Sequence, residues 1–164
     1  MFRLARVDRI LFPEPAARIG RAKLNAQKVF AQTHVALYRM SRGRLGGRFR
    51  KSPVLLLTTI GRKSRKKRTT PVLYIEDGEN MVLVASNAGK DRDPFWWMNL
   101  KDDPSAIVQL RGRTVEVRAA QATPEEKSRY WPSLVKMYPT YDDYQKKTER
   151  EIPVVILRPL RSKC

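Results

Sequence analysis

Six short apolar runs, separated by turn signals, are the strongest constraint on what this chain can fold into. They cover residues 53–59, 69–75, 81–85, 106–110, 114–119 and 153–157. They are too short for ordinary helices and rich in Val, Ile, Leu, Thr and Tyr, so each predicts a β-strand. Asp77-Gly78 is a tight-turn signal between the second and third, and Arg111-Gly112-Arg113 separates the fourth from the fifth as a hairpin. Six strands with short links predict an antiparallel barrel.

Helices interrupt this pattern. Asp93-Pro94 reads as an N-cap followed by Pro at the first helical position, opening a helix over 95–100. Thr123-Pro124-Glu125-Glu126 is a capping box that opens a helix towards Tyr130, which Pro132 is expected to kink or end. Before the barrel, Ile19, Ala22, Ala26, Val29, Phe30, Thr33, Leu37 and Met40 recur at helical spacing among basic residues. This predicts a basic amphipathic helix over 15–40. The glycines of Gly43, Gly46 and Gly47 end it in a hinge or tight turn.

The chain has 164 residues, of which 41% are apolar, enough for one core and a single domain. Within it, residues 1–51 form a basic arm and 52–160 the barrel. One cysteine, Cys164, and one histidine, His34, supply neither a disulfide framework nor a structural zinc site, so no metal is expected. No apolar stretch is long enough to span a bilayer and the start lacks a secretory h-region, so the expected location is the cytoplasm.

The formal charge of +18 is uneven: +11 lies in residues 1–51, +6 in 62–68 and only +1 in 69–164. An arm of this kind suits the anionic inner face of a cell membrane. Nucleic acid is a weaker reading, because no base-reading aromatic array accompanies the charge.

The second cationic cluster, GRKSRKKRTTP at residues 61–71, puts six cations in seven positions. It could be a nucleic-acid grip, a solvated face or a cradle for a small polyanion. No G-x-G-x-x-G, P-loop, G-x-S-x-G or H-E-x-x-H motif is present to assign it to familiar nucleotide, hydrolase or metal chemistry.

Four segments in order carry a resemblance: HVALYRMSRGRLGGRF, LLLTTIGRKSRKKRTTPVLY, VLVASNAGKDRDPFWWMNL and WPSLVKMYPTYDDYQKKTEREIPVVIL. Over residues 30–158 the chain resembles the deazaflavin-dependent nitroreductase family of actinobacteria. The resemblance implies a six-stranded split barrel of the FMN-binding type, with an N-terminal amphipathic helix and short capping helices. It also implies binding of coenzyme F420, a deazaflavin with a phospholactyl and oligoglutamate tail. The expected activity is hydride transfer from reduced deazaflavin to an activated alkene, quinone or nitro compound.

By the same resemblance Lys63 and Arg68 contact the acidic tail, a task that suits charge-assisted and bidentate pairs. Arg62, Arg65, Lys66 and Lys67 then either assist or merely steer. Thr70 and Pro71 lie along the coenzyme, and Ser86, Asn87 and Gly89 meet it from the loop after the third strand. Trp96 is either a wall of the cleft or core. Tyr138, Tyr141 and Tyr144 line the acceptor side as the catalytic group, unless Tyr144 packs beneath the last strand. Arg65 and Lys67 replace a glycine and a proline common in the family loop, and Trp97 a common tyrosine. The alternatives are FMN or a haem-like ligand in the same barrel, or a basic module that binds anionic membrane.

Overall fold

The computed structural model describes residues 52–160, the strand pair Arg48–Phe49, and Val35 and Tyr38 of the preceding segment. Val35 and Tyr38 are helical; the rest of the predicted helix over 15–40 and its terminal glycines lie outside the described residues.

Seven strands follow one another: β1 (Arg48–Phe49), β2 (Ser52–Ile60), β3 (Lys67–Asp77), β4 (Asn80–Val84), β5 (Ser105–Leu110), β6 (Arg113–Gln121) and β7 (Val154–Pro159). They pair antiparallel in the order β1-β2-β3-β4-β7-β6-β5, and β2 also pairs with β5. That last pairing, with Leu57 opposite Val108, closes the six long strands into a barrel. Closure removes the exposed edges that an open sheet would leave. The six predicted runs are these six strands, and the two-residue β1 is an addition on the outer margin of β2.

Apolar runs without alternation need cover on both faces of the sheet, and the barrel provides it. Leu55, Leu57, Val72, Tyr74, Leu83, Val108, Val117, Val155 and Leu157 point into the barrel. Val54, Leu73, Val82, Val84, Val154 and Ile156 point outward against a second core. A fully buried Leu such as Leu57 contributes about 1.5–3 kcal/mol by leaving water.

Within residues 52–160 three α-helices pack on the barrel: α1 (Phe95–Asp102), α2 (Pro124–Met137) and α3 (Thr140–Lys146). Helix α1 stops the barrel mouth, with Trp96, Trp97 and Leu100 joining the interior cluster. Helices α2 and α3 supply the outer core through Tyr130, Leu134, Tyr138, Tyr141 and Tyr144. Ser52 Oγ donates to the Met137 carbonyl at 2.9 Å, fastening the end of α2 to the start of β2.

One helix boundary differs from expectation and a second is settled between two alternatives. The Thr123 capping box forms as predicted, but Pro132 sits inside α2, which continues to Met137. The lost backbone bond falls on an exposed turn, while Leu134 anchors the continuing helix in the outer core. Asp93 does not cap α1; Pro94 occupies the N-cap position and makes no side-chain cap bond. The Asp93 carboxylate is taken by Lys101 at 2.7 Å and Arg150 at 3.0 Å.

Candidate active site

Strand register brings the cationic loop and the loop after β4 to one end of the barrel. Residues 61–66 turn between β2 and β3, with Ile60 opposite Lys67, Leu57 opposite Thr70 and Leu56 opposite Pro71. β3 then pairs with β4 only from Tyr74 onward, where Tyr74 faces Leu83. No described strand flanks β3 on the β4 side over residues 70–73, which is where Pro71, lacking an N–H, is tolerated. Continuing the register sets Ser86 level with Pro71. From there the β2–β3 ribbon runs on by about four residues, roughly 13 Å at about 3.3 Å per residue. The cationic loop thus overhangs a buried strand margin that no described strand pairs with, and whose far side is the turn after β4.

The loop is pinned at its root and open at its tip. Asn99, buried on α1, donates from Nδ2 to Thr59 Oγ1 at 3.0 Å and accepts from the Arg62 backbone N–H at 3.1 Å. Gly61 and Lys66 close the turn by a backbone bond of 2.9 Å. Beyond that root all six cations of residues 62–68 are exposed. Arg65 makes a 3.5 Å surface pair with Asp102, and Arg68 donates to Ser64 Oγ at 3.3 Å. Among the described residues Lys63, Arg68, Lys66 and Lys67 have no carboxylate partner, so their charge is available to an anion. Arg65 has a positive φ of 52°, which explains why glycine suits that position.

The turn after β4 is built differently. Asn87, Ala88 and Gly89 have φ of 47°, 56° and 75° in succession. Asn87 Nδ2 donates to the Arg92 carbonyl at 2.9 Å, so its side chain is spent on shaping the loop. Ser86 is 7% exposed. Gly89 is compulsory: a Cβ there would lie 2.8 Å from the Tyr144 carbonyl oxygen. That close approach seats the turn directly on α3.

The three tyrosines, spaced by three along the chain across Pro139, meet. Tyr138 caps α2, Pro139 turns the chain, and Tyr141 and Tyr144 lie on α3. Ring centroids are 5.1 Å apart for Tyr138 and Tyr141, and 6.4 Å for each of the other two pairs. Tilted and edge-on packing at these separations is the favoured arrangement of aromatic rings. All three are buried, and Ala88 packs against their cluster. Burial, with smaller contributions from Tyr138 and Tyr144, pushes the Tyr141 phenol well above its usual pKa, so it remains protonated and can donate.

Trp96 stands apart from this group. It is buried in the barrel interior beside Trp97, ring centroids 6.3 Å apart, on the opposite side of the sheet from the phenols. Its neighbour Phe95 is 64% exposed with Arg92 over its ring, so neither forms a wall with the tyrosines. Among the described residues the Trp97 indole N–H is a buried donor without a partner.

Two residues that hold the loops of the candidate site were invisible to sequence reasoning. Asn99 reads as an ordinary helix residue, and Arg150 as one more cation in a charged segment. Arg150 in fact contacts the turn after β4 from below, donating to the Ser86 carbonyl at 2.9 Å. Only a lone Arg followed by the apolar Ile152 and the last strand hinted at burial. No group of His, Cys, Asp and Glu among the described residues could hold a metal ion, and none of their helices is long and apolar enough to cross a membrane.

The geometry has counterparts in known proteins. The chain is 44% identical over 117 residues to Rv3178 of Mycobacterium tuberculosis, a protein named for F420H2-dependent quinone reduction; the match covers 71% of this chain and 98% of that one. A solved F420-H2 dependent reductase, FDR-A, superposes with a TM-score of 0.60 at 37% identity, covering 65% of this chain and 94% of the other. A second structure, described as a domain-swapped dimer, gives a TM-score of 0.63 at 33% identity over 82% of this chain and 99% of that chain. The family model for F420H(2)-dependent quinone reductase matches residues 30–159, spanning both loops, the unpaired strand margin and the phenols. Cations without a carboxylate partner beside that margin fit an acidic cofactor tail. The chain therefore belongs to the F420H2-dependent quinone reductase family, and coenzyme F420 is its cofactor.

Proposed function

We propose that this protein reduces a quinone at the expense of F420H2, and that activated alkenes and nitro compounds are accepted at the same site. When bound, F420H2 supplies a hydride from its deazaflavin ring. The chain's own residues bind, orient and shield. Lys63 and Arg68 hold the acidic tail, Arg68 through a planar fork that suits phosphate or carboxylate. Thr70 and Pro71 line the unpaired margin of β3, and Ser86, Asn87 and Gly89 face it from the turn. Trp96 acts through the barrel plug, keeping α1 and hence the loop root in place.

Tyr138, Tyr141 and Tyr144 form the acceptor side. Their burial makes an apolar wall that excludes water, and the protonated Tyr141 offers a hydrogen bond to an acceptor oxygen. Tyr138 or solvent provides the proton that completes reduction. The observation that carries this reading is the set of cations without a carboxylate partner among the described residues, poised over a strand margin that no described strand pairs with, next to a strained turn. Anaerobic turnover of F420H2 with a soluble quinone, a nitroaromatic and an activated alkene tests it. Oxidation with the quinone, and slower oxidation with the others, is expected; no turnover with any of them, or preferential binding of FMN, overturns it.

A cytoplasmic position at the inner membrane face is part of the proposal, because residues 1–51 carry +11. Cosedimentation with anionic vesicles should be lost at high salt and on deletion of residues 1–40. Pelleting that survives the deletion would remove the arm from this role.

A further inference from the structure

Arg150 is the most heavily engaged cation among the described residues, and nothing in the sequence pattern assigned it a task. Its side chain is 17% exposed. Nε donates to the Lys90 carbonyl at 2.7 Å, and Nη2 to the carbonyls of Ala85 at 3.1 Å and Ser86 at 2.9 Å. Nη1 meets the Asp93 carboxylate at 3.0 Å. One guanidinium thus grips both ends of the loop that carries Asn87, Ala88 and Gly89.

Three successive residues at positive φ do not hold themselves. Ala88 in particular has no side-chain bond to offset a left-handed backbone, so the surroundings must impose it. The other end of the clasp leads to the phenols. The Arg150 carbonyl accepts from Gln145 Nε2 at 2.9 Å, and Gln145 Oε1 accepts from the Ile152 N–H at 3.0 Å. Thr148 Oγ1 donates to Asp91 Oδ1 at 2.8 Å and accepts from the Arg150 N–H at 3.3 Å. Gln145 follows Tyr144 directly on α3, so the segment around Arg150 ties the turn to the helix that carries two of the three phenols.

We infer that Arg150 is a positioning residue: its planar fork fixes the 86–89 turn against the phenol helix, and so sets how F420 sits relative to the acceptor side. This rests on the functional reading above. Burial alone favours the neutral form of the side chain, and Asp93 with Asp91 opposes that. The 3.0 Å pair with Asp93 uses the charge, but the three carbonyls are reached by the shape of the fork. A lysine keeps the pair with Asp93 and cannot reach four acceptors from one planar group.

The test uses the full chain and F420 itself. Arg150→Ala should weaken F420 binding by about tenfold to a hundredfold, the order expected when hydrogen bonds from a charged group no longer hold the turn. Arg150→Lys should restore little of it. Millimolar guanidinium, but not ammonium at equal ionic strength, should restore part of the affinity of Arg150→Ala, a rescue that a general loss of stability would not show. Wild-type affinity in Arg150→Ala, or full rescue by Lys, overturns the inference. So does failure of both variants to fold, since a positioning role requires a barrel that stands without the clasp. If the wild-type chain itself ignores F420, the functional reading fails instead, and the two failures are distinguishable.

Discussion

The two loops that flank the site are built on opposite principles. Residues 62–68 concentrate six cations on an exposed tip with a few hydrogen bonds at its root. Residues 85–93 carry little free charge, and are forced into three positive-φ positions and clasped from both ends by Arg150. The difference follows from range. A Coulomb attraction acts over several ångströms and tolerates imprecise placement, so a loop that holds a charged tail needs charge more than rigidity. A redox ring must present one atom to an acceptor at close range, so the loop that seats it needs a fixed backbone.

A single methyl group on each side separates the two most sharply. Gly89→Ala puts a Cβ 2.8 Å from the Tyr144 carbonyl oxygen at a φ of 75°, and backbone cannot rotate away. It should destabilise the fold by about 3 kcal/mol and abolish F420 binding. Gly61→Ala meets Ser64 Oγ at 2.5 Å, a side chain that can turn aside, and should stay within about 1 kcal/mol. Urea unfolding of both variants measures the contrast; equal effects would erase it.

The phenol side answers to alkali. Tyr141 has its pKa raised above 10.0 by burial, so the folded state holds the proton more tightly than the unfolded chain does. Its contribution to stability is complete below about pH 10 and declines above it, by about 1.4 kcal/mol per pH unit. Denaturant unfolding at rising pH should show this decline, reduced in Tyr141→Phe. A flat profile would place the phenol in solvent.

On the cationic side effects should be graded and dependent on salt. Lys63→Ala and Arg68→Ala should each weaken F420 binding about five- to tenfold in dilute buffer, with the loss shrinking as salt screens the wild-type loop. The smallest effect belongs to Arg65→Gly. It relieves a left-handed arginine and should add up to about 1 kcal/mol of stability, leaving F420 affinity within about twofold. A large affinity loss there would make Arg65 a ligand rather than a loop residue.

How much of this could be read in advance divides along physical lines. The six strands were legible because apolar runs and turn residues act locally: Gly78 at a φ of 60° and Gly112 at 79° sit where the turn signals put them. The meeting of Tyr138, Tyr141 and Tyr144 was legible from spacing by three across a proline. Of the two outcomes open at Pro132, the helix does not end there, because tertiary packing of Leu134 outweighs the loss of one exposed backbone bond. Asp93 misled because an ion pair with Arg150, 57 residues away in sequence, competes with capping. Trp96 was undecidable until the barrel showed which face of the sheet α1 covers. Arg150 and Asn99 act through long-range contacts to backbone groups, and such contacts leave no local pattern in a single chain.

The central claim is that one site uses both loops at once, one for charge and one for placement. Titration of the purified chain with F420 at low and high salt, repeated for Arg68→Ala, tests it most directly. The account predicts saturable binding that weakens steeply with salt in the wild type and less steeply in the variant. Binding indifferent to both salt and Arg68, or no binding at all, would contradict it.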